Sequence, residues 1–147
     1  MGQLFVNQHY AMFDDPDQRQ SLASRYTEES KMICEGALVI GSTNIMEKLK
    51  TLASQTFQHF PTAINCLAIP DDQIMIQVVG KLEIHEKTAH TFAHTFILKF
   101  INTDFVIQYE IFARNQKPWG SRGDLSCPLS HTGYAHVGDV TENPLFY

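Results

Sequence analysis

Residues 74–114 read IMIQVVGKLEIHEKTAHTFAHTFILKFINTDFVIQYEIFAR. Three runs in this stretch, Ile74 to Leu82, Ala89 to Ile101 and Phe105 to Ala113, alternate with a period of two, which predicts three successive strands joined by short turns. One set of alternates is Ile74, Ile76, Val78, Leu82, Phe92, Phe96, Leu98, Phe100, Val106 and Phe112. The other contains Met75, Val79, Ala93, Ile97, Phe105, Ile107, Tyr109 and Ile111. A one-layer sheet with a solvated back has polar residues in one of its two sets, and neither set here is polar. One face is therefore expected to lie on the chain's own helices and the other on a partner, a second copy being the economical cover. Leaving five such side chains exposed would forgo on the order of 10 kcal/mol of burial, at about 1.5–3 kcal/mol each. The residues expected in that interface are Met75, Gln77, Phe105, Ile107, Tyr109 and Ile111.

Upstream of this meander the pattern is helical. Leu4 to Phe13 carries Leu4, Phe5, Tyr10, Met12 and Phe13 at amphipathic spacing and ends at Asp14-Asp15-Pro16, because Pro16 disfavours helical geometry in Asp15. Asp15 with Pro16 is expected to cap a second helix that turns Leu22, Ala23 and Tyr26 inward. The acidic cluster Asp14, Asp15 and Asp17 serves helix capping, or a negative rim for a basic partner. Lys31 to Ile40 reads as a hairpin turning at Glu35-Gly36. Ser42 or Thr43 is expected to cap a third helix with Ile45, Met46, Leu49 and Leu52 on its apolar stripe. Pro61 to Ile69 reads as a strand, and Gly80 inside the next strand marks a bulge or bend. Helices followed by a meander give an α+β class, with helices on one face of a bent antiparallel sheet, so that the whole forms a cone.

The chain has 147 residues, enough for one domain with a sizeable core. The domain is expected over residues 1–114. Residues 115–147 hold four of the eight glycines and three of the six prolines, and read as a flexible or loosely docked tail. Arg122-Gly123-Asp124 in that tail is too short a motif to carry a function. Eleven basic against 16 acidic residues give a net charge of −5, which excludes sequence-independent attraction to nucleic acid and favours a basic protein partner. No apolar run reaches the length of a membrane span. Cys34, Cys66 and Cys127 are an odd count without CxxC spacing, so free thiols in a reducing compartment are expected. Without a signal or transit peptide, cytosol or nucleus is the default location.

The order of helices, hairpin, helix and meander resembles the nuclear transport factor 2 family. The residues that carry the resemblance are Phe5-Val6, His9-Tyr10 and Met12-Phe13-Asp14, then Cys34-Glu35-Gly36 and Gly41. Further along they are Val78-Val79-Gly80-Lys81-Leu82, Phe92, Phe96-Ile97-Leu98 and Glu110-Ile111-Phe112. The resemblance spans about residues 4 to 114 and implies the cone-shaped fold. It further implies a homodimeric adaptor that binds the GDP form of the small GTPase Ran and phenylalanine-glycine repeats of nucleoporins, working between cytoplasm and nucleus at the pores. It assigns the GTPase contact to Glu35, Cys34 and Glu86, Glu35 matching a glutamate of the family. Cys34 stands where the founding member has a tryptophan, and His85 and Lys87 where it has two aspartates, which alters the charge that a basic partner meets. The founding member's first helix also begins about two turns earlier, with a tryptophan that has no counterpart here.

The same fold hosts small-molecule enzymes, so catalysis is weighed at the residues. Phe92, His94, Phe96, Glu110 and Phe112 share one strand face and are expected to line the cone cavity. A histidine beside a carboxylate in an apolar hollow can do general acid–base work as an isomerase or dehydratase. The plainer reading makes His94 and Glu110 hydrogen-bonded residues of a structural cavity, and no oxyanion donor completes a site. His85, His90 and His94 lack metal-ligand spacing, so neither metal nor cofactor is expected. The sequence reading is therefore a non-enzymatic transport adaptor. Its alternatives are the small subunit of a heterodimeric mRNA export receptor and the cavity enzyme.

Overall fold

The computed structural model describes residues 1–52, 55–85 and 89–115. Helix α1 (Gly2–Asp14) is followed by a 3₁₀ helix (Arg19–Arg25), the hairpin strands β1 (Lys31–Cys34) and β2 (Ala37–Ile40), and helix α2 (Ser42–Lys50). Four long strands follow, β3 (Phe57–Ile69), β4 (Gln73–Ile84), β5 (Ala89–Ile101) and β6 (Asp104–Arg114). They form a six-stranded sheet in the order β2-β1-β6-β5-β4-β3. All neighbours are antiparallel except β1 and β6, which pair in parallel and close the N-terminal hairpin onto the end of the meander. The expected α+β class, with helices in the hollow of a bent sheet, is the fold. The expected tail, with Cys127 and Arg122-Gly123-Asp124, lies outside the described residues from 116 onward, as do Glu86 and Lys87.

Helix α1 buries Phe5, Val6, His9 and Tyr10 along one stripe, while Leu4 faces out. Its first turn lies directly on β3, where a Cβ on Gly2 would sit 2.0 Å from Cys66 Sγ. The second helix differs from the expectation. Asp15 is extended and its Oδ1 accepts the Asp17 backbone N–H at 2.9 Å, so the acidic residues form a turn and the 3₁₀ helix starts only at Arg19. The three-residue repeat of that helix stacks Arg19 and Leu22 on its buried side and leaves Ala23 exposed. Helix α2 likewise starts without a side-chain cap, from Gly41 at φ 88°, in place of the expected Ser42 or Thr43. The hairpin turn is as expected, with Glu35 and Gly36 both at positive φ, the geometry of a two-residue turn between twisted strands.

The sheet corrects the strict alternation assumed for β6. Ile97 pairs with Tyr109 but Leu98 pairs with Ile107, so Gln108 is an extra residue in a β-bulge, and the Gln73 side-chain N–H holds it by donating a hydrogen bond to the Gln108 side-chain oxygen. The bulge reverses the parity on its N-terminal side. Ile107 and Phe105, expected outside, pack on this chain's own core, Ile107 being fully buried, and Val106 opposite Lys99 takes the outer side. Beyond the bulge, Tyr109 and Ile111 face out and Glu110 and Phe112 face in, as expected. A second irregularity lies in β3 between Pro61 and Ala63, beside Gly80. Val6, Leu22, Ile45, Ile76, Val78, Phe96 and Ile107 form the centre of the core, between the helices and the inner sheet face.

Candidate functional site

A cavity of about 100 Å³ lies between the helices and the inner sheet face. Tyr10 and Phe13 of α1, Leu49 of α2 with Leu52 just beyond it, Phe57 and His59 of β3, and His94, Glu110, Phe112 and Arg114 of β5 and β6 line it. Met32, Cys34 and Glu35 of the hairpin complete one side.

The cavity is walled by apolar side chains, and apart from Gln55 and the Glu35–Arg114 pair its polar lining groups belong to two sets. The first runs across the inner face. Tyr10 Oη lies 2.9 Å from His94 Nδ1, His94 Nε2 lies 2.6 Å from Glu110 Oε1, and the Tyr26 hydroxyl donates to Glu110 Oε2 at 2.7 Å. A carboxylate only accepts, so the network places the His94 proton on Nε2 and makes Nδ1 the acceptor for Tyr10. Burial pulls His94 below the usual histidine range against the opposing pull of Glu110, and it raises Tyr10 and Tyr26 well above the usual phenol range. His9, behind this network, packs on Phe5 and Phe96, and burial lowers it well below its ordinary value, with His94 adding to the effect. The second set joins α1 to β3: Asp14 Oδ1 lies 2.6 Å from His59 Nδ1, and Asp14 Oδ2 accepts the His59 backbone N–H at 2.9 Å.

At the mouth, Glu35 Oε1 lies 3.2 Å from Arg114 Nε, in an orientation that does not align a hydrogen bond. Burial raises the Glu35 carboxyl and Arg114 opposes that rise. The neighbouring Cys34 thiol is pushed up to about 11, by burial and then by Glu35, so it stays protonated and acts as a small apolar wall.

Of the expected cavity residues, His94, Glu110 and Phe112 line the space, while Phe92 and Phe96 are buried in the aromatic packing behind it. Cys34 and Glu35 stand at the mouth, and Glu86 is outside the described residues. Met75, Gln77, Tyr109 and Ile111 lie on the outer sheet face, away from the cavity; Phe105 and Ile107 do not. Tyr10, Tyr26, His59 and Arg114 had no site role in the sequence reading, and Asp14 entered it only as part of the acidic cluster that caps a helix or forms a negative rim. The pairs Tyr10–His94 and Tyr26–Glu110 each span 84 positions, a separation that no local pattern encodes. Both nitrogens of His94 and both oxygens of Glu110 already hold a hydrogen bond within the protein. Among the described residues no group of three or more metal-ligating side chains is present.

The Nuclear transport factor 2 (NTF2) domain matches residues 1–113. A protein named Nuclear transport factor 2 from Eremothecium gossypii is 28% identical over 117 residues, spanning 78% of this chain and 92% of its own length. The structure of nuclear transport factor 2 from Cryptosporidium parvum superposes with a TM-score of 0.73 at 27% identity, covering 78% of this chain and 91% of that one. At 8% identity and a TM-score of 0.66, a protein from Novosphingobium aromaticivorans described as a candidate scytalone dehydratase covers 82% of this chain and 87% of its own, and shares the fold alone.

Proposed function

This chain belongs to the nuclear transport factor 2 domain family, and from that premise we propose that it is a non-enzymatic nuclear transport adaptor. The observation that carries the reading is the match of residues 1–113 to the domain, with a relative named for nuclear transport aligned over 92% of its length. In this reading two copies pair through the outer sheet face, and the cavity mouth of each receives a protein partner, the GDP form of Ran. The partner inserts a side chain into the cavity, and charge pairs at the rim set its orientation. Phenylalanine-glycine repeats of nucleoporins are the second partner, and the chain shuttles between cytoplasm and nucleus.

Glu35 supports the GTPase contact because a left-handed turn holds it at the mouth, half-buried and beside Arg114, with His90 and Lys48 also acting on its carboxyl. A basic group of the partner competes with these groups for it. The closed Tyr10–His94–Glu110–Tyr26 network favours the adaptor over the cavity enzyme. The test is a pull-down with GDP-loaded and GTP-loaded Ran: capture of the GDP form over the GTP form is expected, with a loss of at least tenfold in Glu35→Lys. Equal capture of both forms by the unaltered chain overturns the GTPase assignment.

A further inference from the structure

Glu35 does not stand at the cavity mouth as a bare carboxylate. The end of β6 brings Arg114 beside it, with Nε 3.2 Å from Oε1, and the two side chains are 29% and 28% exposed. The contact is one of charge, since Oε1 is enclosed and has no aligned hydrogen bond. His90 of β5 and Lys48 of α2 act on the same carboxyl. The other carboxylate lining the cavity among the described residues, Glu110, is buried and already holds His94 and Tyr26. With Glu35 ionised, the described residues of the mouth set one carboxylate against a guanidinium and an ammonium. That local balance is positive, although the whole chain carries −5.

A partner that offers only basic groups meets a mismatch there. If Arg114 stays in place, the incoming cation lies against a guanidinium and an ammonium. If Arg114 is displaced, a partly buried guanidinium is left without a counter-charge, and breaking an ion pair from one side alone costs more than the pair itself is worth. Both difficulties vanish when the partner also carries a carboxylate, because the internal pair is then exchanged for two new pairs and no charge is left over. We infer that Arg114 is a recognition residue, and that the mouth takes a protein segment presenting a carboxylate to Arg114 next to the basic group it presents to Glu35. Arg114 thereby rejects segments whose charges are all basic, the unpaired-charge route to specificity. The inference rests on the adaptor reading in that the mouth receives a protein, and it is tested without the GTPase so that the two fail separately.

Two blocked tripeptides serve as probes, acetyl-Lys-Leu-Glu-amide and acetyl-Lys-Leu-Lys-amide. Each is titrated into the full chain at low ionic strength and followed by NMR at the Arg114 guanidinium. The Lys-Leu-Glu peptide is expected to shift the Arg114 Nε signal and to bind about fivefold more tightly, since it gains one partly exposed ion pair and avoids a like-charge contact. In Arg114→Gln the preference falls to about one. In Arg114→Glu, where the mouth holds two carboxylates, it reverses in favour of Lys-Leu-Lys, while Arg114→Lys retains it. Melting curves establish that the variants are folded, and the comparison of the two peptides on the parent chain stands whatever the variants do. A pair that served stability alone would lower the melting temperature of Arg114→Gln and leave the peptide preference where it was. Equal affinity of the parent chain for the two peptides, a preference for Lys-Leu-Lys, no binding of either at millimolar concentration, or a preference that survives Arg114→Gln overturns the inference.

Discussion

At Gly80 an added Cβ would lie 2.3 Å from the Phe60 carbonyl oxygen and 2.9 Å from Pro61 Cα, both of them backbone atoms that cannot rotate away. The glycine lets β3 approach β4 where the β3 register slips, so Gly80→Ala has to push the strands apart. A loss of about 1–3 kcal/mol, the usual range for an overpacked site, is expected in urea unfolding, and an unchanged midpoint would contradict the close approach. His9 and His94 raise a different residue-scale issue. Both imidazoles are buried and both titrate below the ordinary histidine value in the folded chain. The unfolded chain therefore takes up protons first. Stability from these groups is complete above about pH 6.5 and is lost as pH falls from there toward the lowered folded values. The urea midpoint is expected to stay level from pH 8 to 7 and to fall between about pH 6.5 and 5. His9→Phe, which keeps the stacking on Phe5, should give a shallower fall over that interval. Parallel pH profiles for the two proteins would show that His9 does not carry it.

Among the elements, the bulge at Gln108 decides more of the surface than any other single feature. Period-two reading finds strands well, which is why β4, β5 and β6 were legible to within one or two residues at most ends. It cannot find an inserted residue, because a bulge leaves the apolar count of both sets unchanged and only exchanges them. Hence Phe105 and Ile107 read as outer residues although they belong to the core. Deleting Gln108 should restore strict alternation with Ile107 and Phe105 still facing the core, because Tyr109 faces out and Ile107 then follows it inward. Only the hydrogen bond from Gln73 is then lost, so equilibrium unfolding should report a change of about 0.5–1.5 kcal/mol; a loss above about 3 kcal/mol would show that the two side chains had left the core. The site was half legible for related reasons. His94 and Glu110 lie across adjacent strands and share a face by parity, so the sequence could bring them together. His59 and Asp14 could not be paired, since β3 was expected to begin at Pro61 and in fact begins at Phe57, which left His59 outside any element. Asp14 likewise read as a helix stop, and its second use as the anchor of His59 depends on α1 crossing β3.

At the scale of the molecule, the described residues leave one large apolar sheet face uncovered. Directly opposed residues of neighbouring strands share a face, so Leu67, Met75, Ile97 and Tyr109 form one row across β3 to β6, and Ile111 and then Val79 extend the outer face in the next two rows on one side of it. Tyr109 and Ile111 are 40% and 42% exposed, and Leu67 is 61% exposed. The cavity and the helices lie on the opposite face, so pairing through this surface leaves both cavity mouths accessible. The loss of Phe105 and Ile107 to the core narrows the proposed interface to the part of the sheet around Tyr109 and Ile111 without removing its apolar character. A carboxylate introduced at the middle of such a face would be desolvated without a partner in the dimer, at a cost of roughly 2–7 kcal/mol or more, yet would stay hydrated in the monomer. Ile111→Asp is therefore expected to sediment as a monomer at micromolar concentration with an unchanged circular dichroism spectrum, where the parent sediments as a dimer. A parent chain that is monomeric under the same conditions would remove the self-pairing proposal. A dimer untouched by Ile111→Asp would move the contact to another surface of the molecule.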